Sequence, residues 1–270
     1  MIERLLVLKL DAVDCAAEAS LNGVPIARAD AARTRVIVPV HEYTVGGVNR
    51  LELVIWPRAV AQPQGETAPP ESLTANGKQA AQVRILLPRL GNAADESSAR
   101  TLAQLDWAPA AGLAYEAPLT LRLEVTLQVN FPRWRWLDAP AATPTPAMRQ
   151  LALGLVQQLA RELSAGNVET FMSATRLRTE ELAVAYQRDA ADEAARLRAC
   201  LLDHFAAGRL NWVPMEPDGF VLRSIADGRL LECLDLSGAP MLRTAADASG
   251  QSLALPLRLA AVEGRLYVLR

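Results

Sequence analysis

The amino-acid sequence predicts a multi-domain protein of the β plus α+β class. An N-terminal antiparallel β-sandwich over residues 1–137 is expected to precede a domain over residues 148–270, in which helices come before a curved antiparallel sheet. Three observations support this division. Apolar residues alternate in the first half, helical periodicity replaces the alternation in the second half, and a proline-rich segment at residues 138–147 separates the two patterns.

The first half contains signals for seven or eight strands joined by turns. Asn22 and Gly23, which both tolerate a positive φ, separate two strand-like stretches and predict a tight hairpin. Apolar residues recur at alternate positions within Asn49–Trp56 and, without a break, within Leu119–Val129. The prolines of Pro57–Lys78 predict a long loop. Many short strands with short connections favour a sandwich or a barrel.

The second half changes pattern at the segment Asp138–Ala147. Its three prolines among small residues predict a stiff, extended linker, because each proline disfavours helix in the residue before it. Thr145 is expected to cap a first helix, and a long helix is expected from Thr179 to Gly208. Five turn signals then predict an antiparallel meander, and hence an α+β domain: Asp218-Gly219, Asp227-Gly228, Ser237-Gly238, Ser249-Gly250 and Glu263-Gly264.

Composition excludes several classes of protein. The chain of 270 residues is 51% hydrophobic and 21% charged, which is ordinary for a globular protein. Residues 1–140 hold 14 Lys and Arg against 15 Asp and Glu, and residues 141–270 hold 14 and 15, so neither half has the basic excess of a nucleic-acid module. The three cysteines are widely spaced, no apolar stretch could span a membrane, and no signal peptide is recognised. A cytoplasmic protein is therefore expected.

Two stretches of the first half combine a hairpin tip with a turn that leads into an alternating strand. They are LNGVPIA at Leu21–Ala27 and GGVNRLELVI at Gly46–Ile55. On these residues the first half resembles the galactose-binding-like β-sandwiches that accompany many carbohydrate-active enzymes. The resemblance implies a sandwich that binds sugars or serves as a scaffold. It implies no site residue here, because ligand residues in those families lie in variable loops.

The second half has helices before its strands and two hairpin signals. One lies in LLECLDLSGAPMLR at Leu230–Arg243, and the other is the ending LPLRLAAVEGRLYVLR at Leu255–Arg270. On these features it is similar to the nuclear-transport-factor-2-like (NTF2-like, SnoaL-like) superfamily. The resemblance implies a cone with a central cavity, used for catalysis by some members, and a homodimer formed through the sheet. One departure is that no hairpin signal separates the early helices from the long one.

The histidines and cysteines give no sign of catalysis. His41 precedes Glu42 in a turn segment and is expected in a solvated loop. His204 is expected in the last turn of the long helix, where it caps or packs, or else takes part in a pocket. Neither histidine has neighbours at metal-ligand spacing, so no metal and no cofactor are predicted. The sequence lacks the motifs of nucleophile elbows, phosphate-binding loops and metalloproteases, and no cysteine has the context of a nucleophile.

Two carboxylates lie on opposite faces of the strand predicted around Leu230–Leu236. Glu232 shares its face with the flanking leucines, and Asp235 shares the other face with Cys233. If the second half holds a working pocket, one of the two would face it, where desolvation would raise its pKa and it could serve as a general base beside Tyr186 or His204. The alternative, which the sequence favours, is that the carboxylate ends a strand or pairs with Arg229 or Arg243 at the surface.

Aromatic residues and arginines alternate just before the linker. The members of this aromatic–arginine cluster are Phe131, Arg133, Trp134, Arg135 and Trp136. Such a mixture can stack on sugars, bind nucleic acid or anchor a protein partner. Its position at the predicted domain junction favours a contact between domains, and a surface for a protein partner is the next hypothesis.

The sequence does not specify a function, and three hypotheses remain. The leading one is a non-catalytic bacterial binding or assembly protein, homodimeric through its C-terminal domain and able to take a protein partner. It is supported by the missing catalytic motifs. The second is an enzyme or a small-ligand-binding protein that uses an NTF2-like pocket. The third is a carbohydrate-binding protein that uses the sandwich.

Overall fold

The structure is a computed structural model, and it describes residues 5–56, 71–89, 99–247 and 250–270. These residues form mostly antiparallel sheets together with four α-helices. Contacts within the chain divide it between Arg133 and Trp134 into two compact units, which we call the first and the second unit. The described part contains no helix with the length and apolarity needed to cross a membrane.

The first unit contains ten strands. Two four-stranded antiparallel sheets have the strand orders β4-β1-β7-β8 and β10-β5-β2-β3, and a short pair joins β6 to β9. The bounds are β1 (Val7–Val13), β2 (Ala16–Leu21), β3 (Val24–Ala29), β4 (Arg35–Pro39), β5 (Gly47–Trp56), β6 (Glu71–Thr74), β7 (Ala80–Leu87), β8 (Arg100–Trp107), β9 (Ala114–Ala117) and β10 (Leu119–Leu127).

The core of the first unit follows from the alternation of apolar residues along the strands. Leu51, Leu53 and Ile55 point from β5 into one hydrophobic cluster that also takes side chains from the other four-stranded sheet. The hairpin prediction between β2 and β3 is confirmed, because Asn22 and Gly23 both have a positive φ, of 54° and 75°. Both four-stranded sheets therefore bury their apolar faces in the same cluster.

Two parts of the first unit differ from the sequence prediction. The stretch Pro57–Lys78 was expected to be a loop; its residues 57–70 lie outside the described residues, and the remainder contains strand β6. Strand β8 was not predicted at all. Its four apolar residues are Leu102, Ala103, Leu105 and Trp107, and the first two are adjacent, so the alternation is short and the signal is weak beside that of β5 or β10.

The second unit contains four helices followed by one antiparallel sheet of order β11-β12-β13-β14. Thr145 caps the first helix as predicted, since its hydroxyl accepts a hydrogen bond from the Met148 N–H at 3.2 Å. The bounds are α1 (Pro146–Ser164), α2 (Val168–Ala174), α3 (Arg176–Ala185), α4 (Ala190–Ala206), β11 (Phe220–Ile225), β12 (Leu230–Asp235), β13 (Arg258–Val262) and β14 (Arg265–Val268).

The long helix predicted from Thr179 is wrong, because the chain turns between α3 and α4. Gln187 has a positive φ of 50°, which no helix residue adopts. Asp189 then begins α4 as its cap, and its carboxylate accepts hydrogen bonds from the N–H groups of Ala191 and Asp192 at 2.8 and 3.0 Å. The prediction overlooked that Asp189, within the stretch predicted as one helix, is a residue that can cap a new helix.

The sheet of the second unit presents one face to the helices. Leu231 and Cys233 of β12 belong to the same hydrophobic cluster as Leu163 of α1 and Phe171 of α2. Side chains alternate along a strand, so Glu232 points to the opposite face of the sheet. Among the predicted turns, Ser249 lies outside the described residues.

Candidate functional site

A cavity of about 340 Å³ lies in the first unit, at one end of its hydrophobic core. This volume falls within the range of small-molecule sites in proteins. The residues that line it come from β7, β8, β10 and the segments before β1 and after β4 and β10: Leu6, His41, Leu87, Arg100, Leu102, Leu127, Gln128, Val129 and Phe131. We refer to it as the His41 cavity.

His41 forms part of the wall of the cavity and is only 3% exposed. The expectation of a solvated loop is therefore wrong. The backbone explains the difference: the Val40 N–H donates to the Leu6 carbonyl at 3.1 Å, which extends the pairing of β1 and β4 and draws the next residue inward. The Nε2 atom of His41 then accepts a hydrogen bond from the Leu6 N–H at 2.8 Å, which satisfies a buried donor.

This hydrogen bond fixes the chemistry of the His41 ring. An Nε2 atom that accepts a hydrogen bond carries no proton, so the proton of the neutral ring is on Nδ1. The ring also packs against Phe131, with the ring centroids 4.9 Å apart and the planes tilted by 43°. The Nε2 lone pair accepts the hydrogen bond from the backbone, so it is not available to take up a proton. His41 is therefore a structural part of the cavity wall and not a free base.

The rest of the wall is mainly apolar. Six of the other eight lining residues are Leu, Val or Phe, and Leu102, Leu127 and Phe131 also belong to the core of the first unit or pack against it. The alternation of β10 carries Leu127 to this end of the core. A cavity of this kind favours the apolar part of a ligand because burial removes that surface from water.

The polar groups of the lining, apart from His41, are Arg100 and Gln128, and both residues are exposed. Arg100 begins β8 opposite Leu87 of β7. Its guanidinium forms no ion pair or hydrogen bond with another described residue. Among the described residues, the lining contains no carboxylate, and Arg100 is its one positive charge.

Glu232, a predicted pocket residue of the second unit, is held by two arginines. Its carboxylate accepts from Arg223 Nη2 at 2.7 Å and from Arg258 Nε at 2.8 Å, and the three residues are direct neighbours across β11, β12 and β13. Burial alone would raise the pKa of Glu232, but the charges and hydrogen bonds of Arg258 and Arg223 outweigh it and lower the pKa. The expected raised pKa of a general base is not found here.

Asp235, the second predicted carboxylate, organises the turn after β12. It accepts hydrogen bonds from the Ser237 hydroxyl at 2.6 Å, from the N–H groups of Ser237 and Ala239 at 2.8 and 3.0 Å and from Arg243 Nη2 at 2.5 Å. Although partial burial raises its pKa, these hydrogen bonds and the charge of Arg243 lower the pKa overall. The arrangement matches the alternative prediction, in which a carboxylate ends a strand and pairs with a nearby arginine.

Tyr186 and His204, the other two predicted pocket residues, lie at helix ends. Tyr186 is the C-cap of α3, and the guanidinium of Arg188 lies 5.8 Å from its ring centroid. His204 lies in the last turn of α4, and its buried Nδ1 has no hydrogen-bond partner among the described residues. Glu232 points away from the helices, so the structure does not bring it together with these two residues.

The aromatic–arginine cluster is divided between the two units. Phe131 lines the cavity of the first unit, and Arg133 is exposed. Trp134 and Trp136 of the second unit are 1% and 2% exposed. Arg135 is exposed and its Nη2 lies 3.1 Å from the carboxylate of Glu180. The two indole rings are therefore buried, and the exposed members of the cluster are its arginines.

A buried ion pair beside Trp134 was not foreseen from the sequence. The guanidinium of Arg270 contacts the carboxylate of Glu181 and lies 5.5 Å from the Trp134 ring centroid. The same carboxylate accepts a hydrogen bond from the Arg135 N–H at 2.7 Å. These contacts join the first residues of the second unit to α3 and to the segment after β14, so the cluster acts structurally here.

The buried thiols are not activated. Burial raises the pKa of Cys15 and of Cys233, which keeps both thiols protonated near neutral pH. Cys200 is exposed on α4. Among the residues that the structure describes, no group of three His, Cys, Asp or Glu side chains is placed to hold a metal ion.

Since the other candidate residues have structural roles, the His41 cavity is the candidate functional site. Sequence reasoning missed it because its residues come from distant parts of the chain, and only Phe131 had been singled out as a site residue. The resemblances of the two halves to galactose-binding-like and NTF2-like proteins stay predictions. Comparison with known proteins finds no family model, no curated protein and no solved structure that matches the chain.

Proposed function

We propose that the chain is a non-catalytic binding protein whose first unit holds a small molecule in the His41 cavity. One observation carries the proposal: in a cavity of about 340 Å³ with apolar walls, the described lining has one charged residue, Arg100, whose guanidinium is not engaged by any described carboxylate. Small-molecule sites combine these properties, because apolar walls supply affinity and a few placed polar groups orient the ligand.

The state of the titratable residues supports binding over catalysis. A general base needs an available lone pair and a pKa near the working pH. His41 uses its Nε2 lone pair for the Leu6 N–H, while arginines hold Glu232 and Asp235 with a lowered pKa. The buried thiols of Cys15 and Cys233 have a raised pKa. Each of these groups therefore has a structural role.

The lining also favours an apolar ligand over a sugar. A sugar presents hydroxyl groups on every side, and each one that is buried without a hydrogen bond costs free energy. Arg100 and Gln128 are the two lining side chains that carry polar groups besides His41. The third hypothesis, carbohydrate binding, therefore has less support from this cavity than the binding of a small apolar molecule.

The finer architecture is part of the same proposal. The hydrophobic cluster that two sheets share supports a β-sandwich of the galactose-binding-like kind in the first unit. Four helices followed by a four-stranded antiparallel sheet support an NTF2-like second unit. In that architecture the second unit is expected to form a homodimer, and the exposed Arg133 and Arg135 are candidates for contact with a protein partner.

A cavity-filling variant tests the proposal. Val129 lines the cavity, so Val129→Trp should fill it, whereas Thr126→Trp adds the same ring at an exposed position of β10 outside the lining. Ligand-observed NMR with a set of small aromatic and aliphatic fragments should detect binding to the wild type and to Thr126→Trp, and its loss in Val129→Trp.

Circular dichroism serves as the control that both variants remain folded. Fragments that bind Val129→Trp as well as the wild type would show that the site lies elsewhere. The absence of binding to the wild type would contradict the proposal directly.

A further inference from the structure

The charges of the described residues around the His41 cavity are unbalanced. Arg100 contributes one positive charge, His41 is neutral while it accepts from the Leu6 N–H, and none of the described lining residues is a carboxylate. A ligand that places a negative group beside Arg100 would form an ion pair that no described residue forms with it. A neutral ligand would gain less from this guanidinium than an anion, because it forms no ion pair.

We propose that the ligand is a small amphipathic monocarboxylate, with its apolar body in the cavity and its carboxylate on Arg100. This inference rests on the proposed function of the cavity and adds the chemical class of the ligand. The planar guanidinium presents paired N–H donors that match the two oxygens of a carboxylate. Gln128, also exposed at the lining, has an amide N–H₂ group that can donate to the same oxygens.

The apolar walls determine the body of the ligand. Leu6, Leu87 and Leu102 line the cavity together with Leu127 and Val129, and none of these side chains can donate or accept a hydrogen bond. A polar group placed against them would be desolvated without compensation. The body of the ligand is therefore a hydrocarbon chain or ring.

The volume of the cavity and the charge of its lining restrict the chemical class of the ligand further. At about 30 Å³ for each water-sized group, a cavity of about 340 Å³ holds about ten non-hydrogen atoms. This matches a carboxylate of medium chain length and excludes a long fatty acid held in full. A phosphate dianion fits less well, because Arg100 is the one cation among the described lining residues and phosphate sites use more donors than a single guanidinium.

Isothermal titration of the full-length chain with octanoate and with 1-octanol tests the inference. These probes share an apolar tail and differ in the charge of the head. Arg100→Gln removes the cation, and Arg33→Gln is the matched control, since Arg33 is exposed, lies outside the lining and has no ion pair among the described residues.

We expect octanoate to bind the wild type and Arg33→Gln equally, and to bind Arg100→Gln about tenfold to a hundredfold more weakly, the effect of losing a hydrogen bond to a charged group. Octanol should bind more weakly than octanoate and lose much less affinity in Arg100→Gln, because its hydroxyl carries no charge. Equal affinity for the two probes, unchanged by Arg100→Gln, would overturn the carboxylate and leave the cavity as an apolar site. If neither probe binds, the inference fails, and the fragment experiment then decides the proposed function separately.

Discussion

Arginine side chains hold the buried carboxylates of the second unit. Glu232 is buried beneath Arg223 and Arg258, and Glu181 is buried against Arg270. A carboxylate taken out of water needs such partners, because the loss of hydration costs several kcal/mol for each ion. Polar residues at strand centres are therefore explained here by pairing, without any need for a catalytic role.

Replacing the Glu232 carboxylate is expected to destabilise the chain. Glu232→Gln leaves two guanidiniums without their shared anion, and removing one partner of a buried pair costs about 3 to 5 kcal/mol. Because Arg223 is 35% exposed and Arg258 12%, water offsets part of the loss, and we expect about 2 to 3 kcal/mol in the free energy of unfolding, measured with urea. The control is Glu52→Gln, which breaks an exposed ion pair and should lower the free energy of unfolding far less. An equal loss in both variants would contradict the account.

The same carboxylate is expected to make stability depend on pH. The pKa of Glu232 is lower in the folded state than its ordinary value of 4.5, so its contribution is complete above about pH 5 and is lost as the pH falls through the lower pKa. The difference in unfolding free energy between the wild type and Glu232→Gln should therefore shrink between pH 5 and pH 3. A difference that stays constant or grows on acidification would show that the pKa is not lowered.

At the scale of single elements, prediction succeeded where local signals were strong. The alternation in β5 and β10, the hairpin at Asn22 and the cap at Thr145 are local properties of the sequence, and the structure has all of them. The break between α3 and α4 was missed because apolar residues continue at helical spacing across Asp189. This pattern predicts one continuous helix, whereas Asp189 as a cap starts a new one. Half of the residues of strand β8 are polar and its alternation is short, so its pairing with β7 decides its structure more than its own pattern does.

Two glycines of the second unit, one within α1 and one just after it, should respond to alanine in opposite directions. Gly166 follows α1 with a φ of +79°, and a Cβ added there would lie 2.8 Å from the Phe205 ring. Gly166→Ala should therefore destabilise the chain by about 1 to 3 kcal/mol. Gly154 lies within α1 with open space around it, so Gly154→Ala should stabilise by about 0.5 to 1 kcal/mol.

Thermal unfolding of the two variants beside the wild type measures both signs. A Gly166→Ala variant as stable as the wild type would show that the ring of Phe205 moves aside and that the turn tolerates the new side chain.

At the scale of the whole molecule, each unit has its own hydrophobic cluster, and the candidate site belongs to the first one. The site could not be predicted from the sequence, because Leu6, His41 and Arg100 meet only through the pairing of strands that are far apart in the chain. What the sequence did indicate was the absence of catalytic motifs. In the cavity itself, His41 accepts a hydrogen bond from a backbone N–H group.

The measurement that tests the central claim most directly is methyl NMR of the full-length chain during titration with octanoate. If the His41 cavity is the binding site, the methyl signals of Leu102, Leu127 and Val129 shift in a saturable way, and those of Leu231 and Leu259 in the core of the second unit do not. Shifts confined to the second unit, or none at any of these methyls, would contradict the assignment of the site to this cavity.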